Sequence, residues 1–163
     1  MPGVDWDHVR SKRSRVAHRW CYHMAKEQIM TQEGGTTTAQ LVTDAKSRTE
    51  NLTPADVAKE IAEGQAVLID LREPEERVQS GTIPGAIHAP RGMLEFYADP
   101  ANSYHRPEFD PNQRTILHCA SGGRSALGAD TLRSLGYRNV AHLEGGFTAW
   151  KAAGQPVDGG QEG

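Results

Sequence analysis

The residue best placed to do chemistry in this chain is Cys119. It follows a short strand pattern, residues 115–118, with apolar Ile116 and Leu117 at its centre, and it precedes a loop that contains Gly122 and Gly123. If a helix begins after this loop, the cysteine faces unpaired backbone amides and the positive end of the helix dipole. Both features favour thiolate over thiol, so the pattern predicts a nucleophile.

The segment after the loop has the periodicity of a helix. Small or apolar residues recur there at every third position, and Gly136 follows as the expected left-handed terminator. The recurring residues are Ala126, Ala129, Leu132 and Leu135. The sequence therefore predicts a strand, a nucleophilic loop and a helix in that order.

The loop has the composition of an anion-binding nest. Four residues separate Cys119 from Arg124, and two of them are glycines that can turn their amides inward without a Cβ clash. We expect the backbone N–H groups of the loop to bind anionic sulfur or oxygen. The predicted binding residues are Ala120, Ser121, Gly122, Gly123, Arg124 and Ser125.

Four segments of the chain resemble motifs of the rhodanese sulfurtransferases, and they occur in the same order. They are LIDLRE at residues 68–73, GTIPGA at 81–86, CASGGRS at 119–125 and EGGFTAW at 144–150. Together they extend the resemblance from about residue 51 to about residue 155. One departure is Thr82, which stands where the family usually has a histidine in a structural turn. No catalytic role is affected by it.

The resemblance implies a fold and a reaction. The fold is a single α/β domain with a mostly parallel sheet of about five strands and helices on both faces. The reaction is sulfurtransfer, in which the Cys119 thiolate attacks the outer sulfur of a donor such as thiosulfate and keeps that sulfur as a persulfide. A thiophilic acceptor, cyanide or a cellular thiol, then removes it. No cofactor and no metal is implied, because the cysteine itself carries the transferred group.

In this interpretation, the loop stabilises the persulfide. The amides from Ala120 to Ser125 would hold its negative charge, and Arg124 would stiffen the loop and add positive potential.

Two other functions remain open. Phosphatases and arsenate reductases that resemble rhodanese have five residues between cysteine and arginine, which gives a wider ring for a tetrahedral oxyanion; four residues suit a sulfane sulfur better. The other alternative is a noncatalytic rhodanese module that docks to partners. Inactive members of the family typically lack the cysteine, so Cys119 argues against this reading.

Three charged residues are candidates for roles beside the loop. Asp70 follows the apolar strand pattern of residues 66–69, at the end where ligand sites collect in open α/β sheets. It would either bind Arg124 and fix the loop or belong to a structural ion pair. Arg72 would offer a fork to an oxyanion, and Arg91 would line the pocket entrance or simply start a helix.

Three further residues near the motifs are interpreted as packed side chains. His118 directly precedes the cysteine, so strand alternation points it to the opposite face of the sheet and argues against a role as the base. Phe147 and Trp150 lie three apart on the last predicted helix and are expected in the core.

Composition and charge narrow the class of protein. The chain has 163 residues, 37% of them hydrophobic, and a formal net charge of −3, which fits one α/β domain with an appendage and gives no drive toward nucleic acid. No apolar stretch approaches the ~20 residues that a membrane helix needs, and no apolar signal core follows the first charges. We therefore expect no nucleic-acid or membrane partner, and a cytoplasmic location by default.

The two cysteines have different surroundings. Cys21 lies among basic and aromatic residues near His18 and His23, and a zinc site there is an open but minor alternative, because no second ligand pair follows at finger spacing. A disulfide between Cys21 and Cys119 is not expected, since it would block the nucleophile.

The first thirty residues are basic, with six lysines and arginines against three acidic residues. They would form a partner-docking helix, a tail that contacts an acidic surface, or an extension upstream of a start at Met24 or Met30; a plain solvated segment is the simplest interpretation. The predicted organisation is a basic arm and flexible linker over 1–38, a rhodanese domain over 39–157 and a disordered tail over 158–163.

The remaining patterns predict alternating helices and strands. Thr53 to Asp56 form a capping box with proline at the first helical position, which starts a helix through Ile61. Residues 99–113 contain three prolines and predict a long irregular loop. Strands are expected at 66–69, near 87, at 115–118 and at 140–143, and further helices from 39, near 74–79, around 93–96 and at the final aromatic pair.

Overall fold

The structure is a computed structural model that describes residues 35–160. Its helices are α1 (Thr38–Arg48), α2 (Pro54–Ala62), α3 (Pro74–Ser80), α4 (Leu94–Ala98), α5 (Gly123–Ser134) and α6 (Gly146–Ala152), with a 3₁₀ helix at Arg91–Met93. Its strands are β1 (Glu50–Leu52), β2 (Val67–Asp70), β3 (Ile87–His88), β4 (Thr115–His118) and β5 (Val140–Leu143). The predicted alternation of strands and helices is confirmed.

The five strands form one parallel sheet in the order β1-β5-β4-β2-β3. Strand β4 is central, so that Leu117 aligns with Ile69 of β2 on one side and with His142 of β5 on the other. The carboxyl end of β4 therefore opens between two neighbouring strand ends. Ligand sites of open parallel sheets form at such an edge.

Strand β1 is the element that the sequence did not predict. It is three residues long, and two of them, Glu50 and Asn51, are polar and exposed. Such a strand lacks the continuous apolar run that marks the buried strands of a parallel sheet. It forms because the edge of the sheet beside β5 offers it a backbone ladder.

Helices cover both faces of the sheet, as predicted. Alternation along β4 sends Ile116 into a core beneath α2 and α6, and Leu117 into a core beneath α4 and α5. The first core holds Phe147 and Trp150, whose predicted burial is confirmed. Helix α1 packs on α5.

The start of α2 matches its prediction. The Thr53 hydroxyl accepts a hydrogen bond from the Asp56 amide, the Asp56 carboxylate accepts one from the Thr53 amide, and Pro54 is the first helical residue. The capping box provides hydrogen-bond acceptors for two amides that would otherwise be unpaired at the start of the helix. Residues 99–113 form the predicted irregular loop, which is pinned to the core by buried Phe109.

The end of α5 differs in one detail from the expectation. Gly136 adopts the predicted left-handed conformation, with φ at +95°. Leu135, however, is 43% exposed, because the helix ends at Ser134 and the backbone has already left the helical path that would carry Leu135 into the core.

The end of the described chain pairs with the domain. The backbones of Asp158 and Thr82 exchange two hydrogen bonds of 2.8 Å. The sequence assigns Asp158 to the tail, whereas this pairing ties it to the turn that follows α3. Most of the predicted arm, including His18, Cys21 and His23, lies outside the described residues. Within residues 35–160, no cluster of metal-ligating side chains is found and no helix is long and apolar enough to cross a bilayer.

Candidate active site

Cys119 lies directly after the central strand, at the mouth of a tight loop. Its side chain is buried, with 1% of the residue exposed. Gly122 adopts a φ of +96°, which a residue with a Cβ rarely tolerates, and this turn brings its amide to 3.2 Å from the Cys119 Sγ. The predicted placement of the cysteine beside the start of a helix is confirmed, since α5 begins at Gly123.

Helix α6 fixes the orientation of the loop's first peptide groups. The Phe147 amide donates to the Cys119 carbonyl at 2.7 Å, and the amide and hydroxyl of Thr148 both donate to the Ala120 carbonyl at 3.0 Å. Because the N–H of a trans peptide points opposite to its C=O, the amides that follow these carbonyls point away from α6. The orientation of these two amides is thereby set by contacts within the domain.

Gly146 makes this contact possible. A Cβ on Gly146 would lie 2.5 Å from the Cys119 carbonyl oxygen and 2.8 Å from the Ala120 carbonyl carbon, and its φ is +58°. No side chain fits there without moving the loop backbone. The second glycine of the EGGFTAW segment, Gly146, is therefore required by the close approach of α6 to the loop.

Arg124 is held by a carboxylate that the sequence analysis did not single out. Its two terminal nitrogens donate to the two oxygens of Glu76 at 2.7 Å each. Hydrogen bonds from Arg124 lower the pKa of Glu76 to about 2, and those to Glu76 raise the pKa of Arg124. The alternative that Asp70 binds Arg124 is wrong, because Asp70 is already enclosed by other cations.

Asp70 instead forms a buried ion pair with Arg72, which was the other alternative for it. The Arg72 Nη2 lies 2.7 Å from one Asp70 oxygen, the Arg72 Nε lies 3.0 Å from the other, and both side chains are at most 1% exposed. Arg77 adds a second contact at 3.2 Å. Burial is the largest single influence and raises the pKa of Asp70, but the hydrogen bonds and charge of Arg72, together with the neighbouring His118, outweigh it, and the net pKa lies below the usual value.

Arg72 was predicted to bind an oxyanion with its guanidinium group. In the structure, most of the hydrogen-bond donors of this group are used by partners within the protein. Besides Asp70, its guanidinium donates to the Ser80 hydroxyl and the Gly81 carbonyl, and it lies 4.0 Å from the centre of the Phe147 ring. It nevertheless borders a cavity of about 400 Å³ next to the loop. Ala120, Thr148 and Lys151 also line that cavity.

Arg91 is not among the residues that line this cavity. It is the first residue of the 3₁₀ helix, and it pairs with Glu95 one turn later and with the Thr131 hydroxyl at 3.4 Å. Of the two roles considered for it, the structure matches a helix start. Its contacts join the 3₁₀ helix to α5.

His118 is packed beneath the site, as predicted. It is fully buried, stacks on Phe147 with ring centres 6.3 Å apart, and makes no hydrogen bond from either ring nitrogen within residues 35–160. Burial lowers the pKa of His118 to about 4, against the attraction of Asp70 at 3.6 Å. The ring is therefore neutral at pH 7. Its partner Phe147 belongs to the core on one face of the sheet, whereas Cys119 belongs to the core on the other.

A five-stranded parallel α/β sheet with a cysteine loop at its central strand end is the architecture of a rhodanese domain. The family model of the rhodanese-like domain matches residues 53–153, and the chain belongs to this family.

Two curated relatives illustrate its range. The human thiosulfate:glutathione sulfurtransferase is 32% identical over 97 residues, which are 55% of this chain and 83% of that protein. An uncharacterized protein of Synechocystis is 37% identical over 91 residues, 56% of this chain and 46% of that protein. This chain therefore spans less than half the length of the Synechocystis relative.

Two solved structures are also similar. A Rhodopseudomonas palustris protein of unknown function, described as a possible tyrosine phosphatase, is 40% identical with a TM-score of 0.74, and the match covers 78% of this chain and 98% of that one. The polysulfide-sulfur transferase homodimer of Wolinella succinogenes is 30% identical with a TM-score of 0.59, covering 71% and 82% of the two chains.

Proposed function

We propose that this protein is a sulfurtransferase that carries a sulfane sulfur on Cys119. The observation that carries the proposal is the four-residue loop whose Gly122 amide approaches the Cys119 Sγ to 3.2 Å while Glu76 holds Arg124 at its far end. A ring of this size converges on a single sulfur atom. The names of the human and Wolinella relatives support the same reaction class.

The reaction proceeds in two displacements at sulfur. The Cys119 thiolate attacks the outer sulfur of a donor such as thiosulfate, a new S–S bond forms, the S–S bond of thiosulfate breaks, and sulfite leaves with the electron pair. An acceptor such as cyanide or a thiol then attacks the outer persulfide sulfur, and the Cys119 thiolate is the leaving group. Each displacement conserves charge, and none needs a cofactor.

The loop stabilises the charge that stays on sulfur. Amides at the N-terminal turn of α5 have no partners within the helix, so those of Gly123, Arg124 and Ser125 can hold a persulfide anion beside that of Gly122. The amides of Ala120 and Ser121 are oriented by α6. Glu76 positions the Arg124 guanidinium, whose charge adds to the attraction for anionic donors.

The proposal requires a small-molecule sulfur donor and a thiophilic acceptor. We also propose that the protein acts in the cytoplasm, because a reducing compartment keeps a nucleophilic thiol available. The basic arm over 1–38 stays a candidate segment for docking a protein partner. Neither nucleic acid nor a membrane is proposed.

Intact-mass measurement tests the persulfide directly. After incubation with thiosulfate, the protein should gain the mass of one sulfur atom, and later addition of cyanide should remove it, because the outer sulfur is the electrophile in the second displacement. A chain that gains no sulfur, under conditions where its Cys119 is reduced, would contradict the proposed function.

The Glu76 contact makes a second prediction. Glu76→Gln should lower thiosulfate:cyanide turnover by roughly tenfold to a hundredfold, since the neutral amide holds Arg124 less firmly and the loop loses its fixed geometry. Steady-state thiocyanate release measures the change. Glu75→Gln is the matched control, because Glu75 lies on the same helix turn and is exposed. Equal turnover rates in the two variants would show that the contact between Glu76 and Arg124 does not affect catalysis.

Phosphatase chemistry is the second candidate, favoured by the description of the Rhodopseudomonas relative. Four residues between cysteine and arginine leave little room for a phosphoryl group with three equatorial oxygens, so we expect negligible hydrolysis of an aryl phosphate by the natural chain. One glycine inserted after Gly122 should widen the ring and weaken persulfide formation. Efficient aryl phosphate hydrolysis by the unmodified chain, lost in Cys119→Ser, would replace the sulfurtransferase proposal with this one.

A further inference from the structure

A chain of side chains leads from the nucleophile into the core. The Cys119 Sγ lies 3.7 Å from the Ser125 hydroxyl, a normal contact for a sulfur donor, and that hydroxyl lies 3.3 Å from His142 Nδ1. On the far side of the ring, His142 Nε2 lies 2.6 Å from the Asn51 Oδ1. Cys119, Ser125 and His142 are all buried, so bulk water does not separate them.

Asn51 fixes the tautomer of His142. The Asn51 amide nitrogen donates to the carbonyls of Lys46 and Thr49, at 3.0 and 3.1 Å, so its oxygen must face the histidine. An oxygen acceptor requires a proton on Nε2. In the neutral ring Nδ1 then carries a lone pair that faces the Ser125 hydroxyl at 3.3 Å. The same hydroxyl also lies within donating distance of the Gly122 carbonyl, at 3.1 Å, so its proton has two acceptors between which it can turn.

The charges around His142 allow it to take up a proton. Burial lowers the pKa of His142, which keeps the resting ring neutral, while the nearby Glu144 opposes that effect. The titratable groups that face the ring are Glu144, with an oxygen 3.7 Å from Nε2, and Lys46 from α1, whereas Cys119 is linked to the ring only through Ser125. Lys46 is paired to Glu144, which moderates its repulsion. A proton arriving from Cys119 would be balanced by the thiolate that it leaves behind.

We propose that His142 receives the thiol proton of Cys119 through the hydroxyl of Ser125 and so maintains the nucleophile as thiolate. The inference rests on the proposed function only in its choice of nucleophile. Ser125 contacts the reacting sulfur, whereas His142 acts through it and is a positioning residue.

The proton transfer is balanced. The Cys119 S–H bond breaks as its proton moves to the Ser125 oxygen, and the hydroxyl proton of Ser125 moves to His142 Nδ1. The products are a thiolate, an unchanged hydroxyl and an imidazolium whose Nε2–H still donates to Asn51. The electron pair of the S–H bond stays on sulfur and forms the S–S bond with the donor.

Alkylation of Cys119 over a range of pH tests this relay without any sulfur donor. Iodoacetamide is the probe, and peptide mass spectrometry separates Cys119 from Cys21. His142→Asn keeps an amide near the Nδ1 position but cannot take up a proton, so its rate at neutral pH should fall about tenfold. At high pH its rate should rejoin that of the unchanged protein, because hydroxide then removes the proton.

Three further variants and one control variant keep the test falsifiable. His142→Gln, which places an amide near the Nε2 position, should show the same displaced pH profile. Ser125→Ala should also show it, and the double variant with His142→Asn should be no slower than the slower single variant, since both interrupt one path. His105→Asn is the control; His105 bonds the Tyr97 carbonyl in the long loop.

The outcomes separate the relay from the proposed function. An unshifted profile in His142→Asn, or a rate reduced equally at every pH, would overturn the relay and leave sulfurtransfer untouched. Independent, additive losses in the double variant would also overturn it. Failure of the thiosulfate mass test, with the displaced profile present, would instead reject the reaction while retaining the relay.

Discussion

Replacing Cys119 with serine should abolish sulfur transfer from thiosulfate to cyanide. A serine hydroxyl at this position remains protonated at neutral pH and cannot carry a sulfane sulfur, so both displacements are lost. The rate of thiocyanate release, together with the absence of sulfur uptake by intact mass, measures the effect. Cys21→Ser is the control and should retain turnover.

The serine variant is expected to remain folded. Cys119 is buried, and serine is close to it in size, so the loop keeps its shape and its contacts with α6. A melting temperature near that of the unchanged chain would attribute the loss to chemistry. Near-normal turnover in Cys119→Ser, combined with its loss in Cys21→Ser, would mean that the nucleophile has been assigned to the wrong residue.

Asp70→Asn should be the most destabilising of the conservative substitutions around the site. It leaves the buried Arg72 guanidinium without its counter-charge, and breaking a buried pair in this way costs about 3–5 kcal/mol. Urea unfolding measures the loss. Asp130→Asn is the matched control, because Asp130 pairs with Arg48 at the surface and such pairs contribute about 0–1 kcal/mol. Similar losses of unfolding free energy in both variants would show that the buried pair contributes no more to stability than the surface pair.

The Asp70 effect should depend on pH in a defined direction. Although burial is the largest single influence and raises the pKa of Asp70, the hydrogen bonds and charge of Arg72, together with the neighbouring His118, bring the net pKa below the value expected in the unfolded chain. A carboxylate with a lowered pKa in the folded state stabilises the protein above its unfolded pKa, and this contribution disappears as the pH falls through the folded pKa. The difference in unfolding free energy between the unchanged chain and Asp70→Asn should therefore shrink toward acidic pH. A constant difference would contradict it.

The buried strands were predictable because each contains two or three consecutive apolar residues. Strands β4 and β5 occupy the predicted residues, and β2 is displaced from its prediction by one residue. Such runs are typical of strands covered on both faces, and the capping box and Gly136 are local signals that need no tertiary partner. Strand β1 was not predicted, because its stability comes from pairing with the neighbouring β5 and only to a small extent from its own residues.

The loop of the candidate site could be predicted from the sequence, whereas the distant residues that hold its side chains in place could not. Cys119 and the glycines lie within one short segment, so their spacing is legible in the sequence. Glu76 lies 48 positions from Arg124, and Asn51 lies 91 positions from His142. Glu76 had one local signal, its place in the first turn of a helix that begins with proline, but nothing local names Arg124 as its partner. Partner choice at such separations depends on the strand order of the sheet.

The position of β4 between β5 and β2 also bears on how long a loaded sulfur would survive. A strand with a hydrogen-bonded neighbour on each side belongs to the part of a protein that opens last, so its amides should exchange with solvent most slowly. Cys119 is attached directly to that strand, and only a rare opening of the sheet would expose the whole loop to water. In the proposed reaction, donor and acceptor would therefore reach the sulfur only through the loop mouth, because the strand behind Cys119 seldom opens.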